Sequence, residues 1–239
     1  MSAVQELKVL LRRRSPGAYR WLSILRSRVW VRLHNRHGIF QSVYDKNRWH
    51  GADSRSGTGS DLPQTAALRR LLPGLIAELD IRTFLDIPCG DFYWMSRTDL
   101  KVDTYIGADI VRSLIESNER KYGQDGMTFV TLDLISDPLP TVDLVFCRDG
   151  LVHLSEGDAR AAIGNIASSK STYLLTTTFT GRVDNYDIPT GSWRPVNFER
   201  PPFNFPPPIR LLDEQCTEGG GLFADKALGL WLVADLPVA

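Results

Sequence analysis

Cysteine is scarce: three in 239 residues, Cys89, Cys147 and Cys216, odd in number and widely spaced. That argues against a disulfide framework, and the lack of any C-x-x-C or Cys/His spacing argues against zinc or another metal centre. A reducing, cytoplasmic setting fits such usage. Long apolar runs are missing too, since nothing approaches the ~18 residues of a membrane span. Near the N-terminus, arginines interrupt every apolar run before the ~7 residues of a secretory signal accumulate. There is no internal repeat and no G-x-G-x-x-G fingerprint, the turn on which a dinucleotide's pyrophosphate rests. Net charge is also absent, with 28 Lys+Arg against 28 Asp+Glu. The balance is uneven: residues 1–50 hold eleven Lys/Arg against Glu6 and Asp45, a net of +9 that leaves −9 on the rest. An acidic body repels phosphates, so nucleic acid is an unfavourable partner.

What is present suits one α/β domain of ordinary size with an extension: 43% hydrophobic and 23% charged residues. Residues 1–37 read as a basic helical arm, with Trp21, Leu22, Leu25, Val29 and Leu33 on one side and Arg20, Arg26, Arg28 and Arg32 interleaved. Such an arm can pack on its own domain, or make peripheral contact with an anionic membrane surface. Residues 38–61 carry Phe40, Tyr44 and Trp49, then a small-residue run from Ser54 to Ser60. A run of that kind is a flexible linker or a lid that folds over a ligand. From residue 62 to 239 the pattern is that of the main domain. Asp61 is placed to cap its first helix, with Pro63 and Gln64 following and Leu68, Leu71, Leu72, Leu75, Ile76 and Leu79 as the apolar face.

Strand-like and helix-like stretches then alternate: strands over 83–85, 104–110, 128–132, 142–147 and 171–179, helices over 111–122 and 156–168. That alternation predicts a doubly wound, mostly parallel sheet. Residues 180–208 break it with Pro189, Pro195, Pro201, Pro202 and Pro206 to Pro208, a Pro-rich insertion where a crossover helix would be expected. Stretches 209–216 and 229–234 complete seven strands, the last two readable as an antiparallel pair.

The stretch Phe84-Leu85-Asp86-Ile87-Pro88-Cys89-Gly90-Asp91-Phe92 reads as a buried strand, an acid at its carboxyl end, a tight turn, and a second acid. Ligands of open α/β sheets bind outside those strand ends. Two carboxylates there suit a cationic, hydroxyl-bearing ligand, although an ordinary strand–turn–helix junction carries similar residues. Asp109 follows Asp86 by 23 residues, near the ~20 at which an acid meets a ribose in dinucleotide folds. After the fourth strand, Asp149 and His153 are four apart and would share one side of a helical turn. His153 suits proton transfer, or packs the following helix. Arg148 holds an acidic substrate group or pairs with Asp149, and Cys147 reads as a small buried residue. Trp49 on the lid and Tyr186, Trp193 and Asn204 on the Pro-rich insertion are candidate walls for a substrate.

Four of these motifs, F-L-D-I-P-C-G-D, Y-I-G-A-D-I, F-V-T-L-D-L and V-D-L-V-F-C-R-D, stand in the order seen in the class I S-adenosylmethionine-dependent methyltransferases. The chain resembles that family over residues 62–235, with Pro88 where the first glycine of the opening motif often stands. The resemblance implies a Rossmann-like sheet and S-adenosyl-L-methionine as cofactor, while the aromatic-walled loops suit a small hydroxylated acceptor such as a sugar, methylated at a hydroxyl. It places Asp86, Pro88, Gly90 and Asp91 by the methionine part, Asp109 and Ile110 at the ribose, Asp133 and Leu134 at the adenine. Arg148, Asp149 and His153 fall at the transfer site. A nicotinamide dehydrogenase on the same sheet would want a pyrophosphate cradle where this turn is acidic. A non-catalytic nucleoside-binding scaffold tethered by the arm is the alternative from another class.

Overall fold

A computed structural model of the chain describes residues 35–237. The helices expected at 3–14 and 19–33 lie outside the described residues. Seven strands form one sheet in the order β3-β2-β1-β4-β5-β7-β6. They are β1 (Thr83–Asp86), β2 (Thr104–Asp109), β3 (Met127–Thr131), β4 (Leu144–Cys147), β5 (Tyr173–Phe179), β6 (Arg210–Asp213) and β7 (Lys226–Leu232). The first five run parallel, while β7 is antiparallel to both β5 and β6. Among the described residues, four α-helices accompany the sheet: α1 (Arg36–Asp45), α2 (Leu62–Glu78), α3 (Arg112–Tyr122) and α4 (Glu156–Ser168).

Alternate residues of the strands feed two apolar layers, as the period-2 geometry of a strand requires. Phe84, Leu144, Phe146, Leu175, Leu228 and Leu230 face α2 and α3, where Leu68, Leu72, Ile76, Leu114 and Ile115 meet them. Leu85, Val145 and Leu174 face the other side, against Ala159, Ala162, Ile163 and Ile166 of α4. That second layer is completed by Val196, Phe198, Phe203, Phe205 and Trp231. The segment between β5 and β6 therefore fills with side chains the place of a crossover helix. Proline lacks an N–H, so side chains supply donors there. Asn185 Nδ2 donates to the carbonyls of Asn197 and Pro201 (both 2.9 Å), and Trp231 Nε1 donates to that of Pro206 (2.7 Å).

Several expectations change in detail. The break placed between residues 37 and 38 falls inside α1, which starts one residue after Asn35, whose side chain accepts from Gly38 N at 2.9 Å. Asp61 precedes α2 but does not cap it with its carboxylate, which turns back to accept from Ala52, Asp53 and Ser54 N. Gln64 forms no capping box, because its amide is engaged with Thr217. Leu71 faces solvent, since Leu68, Leu72 and Leu75 already occupy the buried seam. The last strand begins at Lys226 rather than Gly229 because β7 pairs with the whole of β5, Phe179 opposite Lys226 through Tyr173 opposite Leu232.

Candidate active site

The sheet switches direction of winding at β1, with β2 on one side and β4 on the other. A cavity of about 1120 Å³, its open mouth included, lies at the carboxyl ends of these strands, where ligands of open α/β sheets bind. Asp86 ends β1 and Asp109 ends β2, and both are buried. Between them the turn reaches Gly90 at φ +56°, a left-handed conformation that glycine adopts without a Cβ penalty. Asp109 grips that turn: Oδ2 accepts from Gly90 N at 3.3 Å and Oδ1 from Val111 N at 2.9 Å. Asn118 of α3 holds it from the other side, donating to the Gly90 carbonyl at 2.8 Å. Asp86 accepts from the hydroxyl of Tyr105. Burial in a low-dielectric site disfavours the charged form. It pushes Asp86 up to about 8 and Asp109 up to about 6, the latter restrained by its backbone hydrogen bonds. Neither carboxylate forms an ion pair among the described residues.

Residues 54–56 of the segment read as a linker or lid pack over this turn. Asp91 accepts from Ser54 Oγ and Arg55 N (both 2.9 Å), and its own N–H donates to Ser56 Oγ at 3.0 Å. A Cβ built on Gly90 would sit 2.2 Å from Ser56 Oγ, so the lid comes this close only because residue 90 is glycine. Asp91 is not part of the cavity wall. Asp133 and Leu134, after β3, are in the wall, with Pro88 and Ile110. The Asp133 carboxylate is already engaged by Arg36 of α1, at 2.7 Å from Nη2 and 3.0 Å from Nε.

Beyond β4 the electrostatics are of another kind. Arg148 donates from Nη2 to Glu214 (2.6 Å) and to the carbonyl of Gly59 on the lid (2.9 Å). Lys226 Nζ donates to Asp149 Oδ2 at 2.7 Å and lies 3.4 Å from Glu214. Arg148, Lys226 and Glu214 are buried. Despite its burial, Asp149 is held far below the usual carboxylate range by Lys226 and then Arg148. Asp149 Oδ1 and Glu214 Oε1 are nevertheless buried without a hydrogen-bond partner. His153 ends a short 3-10 turn, Leu151–His153, and Asp149 makes no hydrogen bond to it; the aspartate turns to Lys226 instead. The imidazole is 2.7 Å from the Ser192 carbonyl through Nδ1 and stacks on Trp49 at 4.3 Å between ring centroids. A carbonyl only accepts, so Nδ1 carries the proton and Nε2 is left with its lone pair. Burial lowers the pKa of His153 below its ordinary value.

The structure thus gathers Asp86, Pro88, Gly90, Asp109, Ile110, Asp133, Leu134, Arg148, Asp149, His153 and Trp49 around one cavity. Tyr186, Trp193 and Asn204 do not line it. Trp193 packs edge-on against Phe179 and Phe223, and Asn204 holds a turn at φ +52° with its N–H on the Arg200 carbonyl. The Pro-rich segment reaches the site through main chain, at Ser192. Sequence reasoning missed Arg36, Arg55, Trp94, Lys226 and Glu214. Only Arg55, inside the small-residue run, carried a signal in its position.

No family model matches the chain and no curated protein matches it. Solved structures do. One is the N-methyltransferase NodS from Bradyrhizobium japonicum WM9 in complex with S-adenosyl-L-homocysteine, 16% identical, TM-score 0.46, over 57% of this chain and 73% of that one. Another is an S-adenosylmethionine-dependent methyltransferase from Clostridium acetobutylicum ATCC 824, 12% identical, TM-score 0.41, over 48% and 51%. A third is the amino pentose methyltransferase CalS10 from Micromonospora echinaspora, 16% identical, TM-score 0.40, over 45% and 48%. The chain spans about half the length of the latter two. The fold itself is a Rossmann-like, mostly parallel seven-stranded sheet. Identities this low assign neither chemistry nor substrate.

Proposed function

We propose that this chain is a class I S-adenosylmethionine-dependent methyltransferase that acts on a small molecule at a hydroxyl. The observation that carries the reading is the pair of buried carboxylates, Asp86 and Asp109, flanking the Gly90 turn with no cation paired to either among the described residues. Such a turn fits a cationic, hydroxyl-bearing nucleoside and repels a pyrophosphate, which disfavours a nicotinamide cofactor. The residues present fit the group: Asp86 toward the ammonium of its tail, Asp109 toward the ribose hydroxyls, and the Leu134 main chain toward the adenine. Asp133 reaches the adenine amino group only by sharing its carboxylate with Arg36. When bound, the cofactor supplies an electrophilic methyl on a sulfonium.

The chain's own contribution lies in orientation and in handling a proton. His153, neutral at neutral pH and protonated on Nδ1, offers Nε2 as the base that takes the proton of an acceptor hydroxyl. Trp49 keeps the ring in place by stacking and shields it from water. Asp149 lines the cavity, and its Oδ1 is buried without a hydrogen-bond partner. Arg148 is a structural partner of Glu214 and the lid rather than a substrate ligand. The segment over the cavity supports a small acceptor, and the −9 body disfavours nucleic acid. The three free, buried cysteines support a cytoplasmic location. No helix among the described residues is long and apolar enough to cross a membrane.

Calorimetric titration with S-adenosylhomocysteine and with NADH tests the reading: binding of the first alone is expected, and binding of NADH alone overturns it. Labelled methyl transfer to metabolite fractions then identifies the acceptor. His153→Ala should slow transfer to a hydroxyl by about 10²–10⁴-fold while leaving S-adenosylhomocysteine affinity intact.

A further inference from the structure

The inference rests on the reading above, that the cavity takes a nucleoside with a methionine tail. Such a tail ends in two opposite charges, an ammonium and a carboxylate. The buried Asp86, which forms no ion pair among the described residues, answers the first; the second calls for a cation. Three arginines line the cavity: Arg36, Arg55 and Arg148. Arg36 is engaged by Asp133 and Arg148 by Glu214. Arg55 forms no ion pair among the described residues, and its guanidinium carbon lies 5.7 Å from the centre of the Tyr44 ring.

The backbone of Arg55 is fixed next to the turn. Its N–H donates to Asp91 Oδ2 at 2.9 Å. The following residue, Ser56, fills the space that a Cβ on Gly90 would need. Arg55 is therefore one residue from the closest approach of lid to turn, while its side chain is exposed. Tyr44, whose phenol is kept protonated by burial and then by Asp91, stands beside it as a hydrogen-bond donor.

We propose that Arg55 is a carboxylate-binding residue of this cavity, and that the carboxylate it receives is the one on the cofactor's amino-acid tail. The lid is then held shut by the bound molecule itself, through the one cavity arginine that the protein leaves unpaired among the described residues. An acidic group on the acceptor would offer the same chemistry, and the choice of ligands separates the two sources.

Wild type, Arg55→Gln and Arg55→Lys are titrated with S-adenosylhomocysteine and with 5′-methylthioadenosine, which keeps the nucleoside and the thioether but lacks the amino-acid tail. A hydrogen-bonded charge pair predicts that Arg55→Gln weakens S-adenosylhomocysteine about tenfold or more. Methylthioadenosine should be unaffected, and Arg55→Lys should fall between. Methylthioadenosine binding also reports that each variant is folded. An unchanged ratio of the two affinities in Arg55→Gln, whether both are kept or both fall equally, overturns the assignment to the cofactor's carboxylate. If wild type binds neither nucleoside, the functional reading falls and this inference with it. If wild type binds both and residue 55 does not alter the ratio, the inference alone falls.

Discussion

The two halves of the cavity solve the same electrostatic problem in opposite ways. Around β1 and β2, Asp86 and Asp109 are buried without cations, and burial drives both pKa values up, to about 8 and about 6. Beyond β4, two carboxylates face two cations, and attraction reverses the effect of burial: Asp149 is pushed down, Arg148 and Lys226 are pushed up. One half is balanced by the protein and the other is left short of positive charge. Burying an unpaired carboxylate costs stability, so a fold that keeps two at one turn leaves there a place for a cationic ligand. The balanced half serves the lid, through Arg148 and the Gly59 carbonyl.

The largest effect should come from unbalancing the second half. Glu214→Gln keeps the shape of the side chain but leaves Arg148 and Lys226 against Asp149 alone. Breaking a buried network in this way costs about 3–5 kcal/mol, read as a fall in the urea midpoint. If stability is unchanged, the cluster is not the balanced network described. Next is Asp109→Ala, in the deficient half. It removes the grip on Gly90 and Val111 and the acceptor proposed for the ribose, and two charge-assisted hydrogen bonds correspond to about 100-fold or more in S-adenosylhomocysteine affinity. Retained affinity would show that the deficit at β2 is not a ligand site.

The balanced half was the less legible one in the sequence. Asp86, Gly90 and Asp109 announce themselves because a parallel strand reads as a continuous apolar run, and a charged residue at its end stands out. Lys226 and Glu214 carry no such mark. They lie over 60 residues from Arg148 and meet it only because β7 returns antiparallel beside β5. Helical spacing puts Asp149 and His153 on one side of a turn; in the structure Asp149 has a positive φ and its carboxylate turns to Lys226. The partner of the histidine is the main chain of Ser192, and a carbonyl has no signature in a sequence. The aromatics of the Pro-rich insertion were legible as aromatics, but Trp193 serves packing and Phe198, Phe203 and Phe205 complete a core layer.

A smaller effect, of about one proton, reads the deficit directly. Asp86 has a folded pKa of about 8 against an ordinary value near 3.8, so the folded state holds a proton that the unfolded chain releases. Its contribution is fully present below about pH 4 and is lost as pH rises toward 8. Urea midpoints of wild type should therefore decline across that window more than those of Asp86→Asn, which cannot ionise. A cationic ligand favours the ionised form, so binding of S-adenosylhomocysteine at pH 7 should release protons. Calorimetry in two buffers of different ionisation enthalpy measures that release, and proton uptake would contradict a carboxylate waiting for a cation.

The smallest effect should be at the ion pair that bridges lid and sheet, Arg36 with Asp133. The two side chains are 34% and 18% exposed, so solvent and salt screen their attraction. Arg36→Ala should cost no more than about 1 kcal/mol of stability, and less still at high salt, whereas the Glu214→Gln loss should resist salt because that cluster is buried. The pair ties α1 to the end of β3, so the same variant should loosen the lid and weaken S-adenosylhomocysteine by no more than about fivefold. A loss as large as that of Asp109→Ala would mean that Arg36 acts on the bound molecule itself. The deficient half would then have two cationic contacts in place of the single one assigned to Arg55, and the contrast between the halves would narrow accordingly.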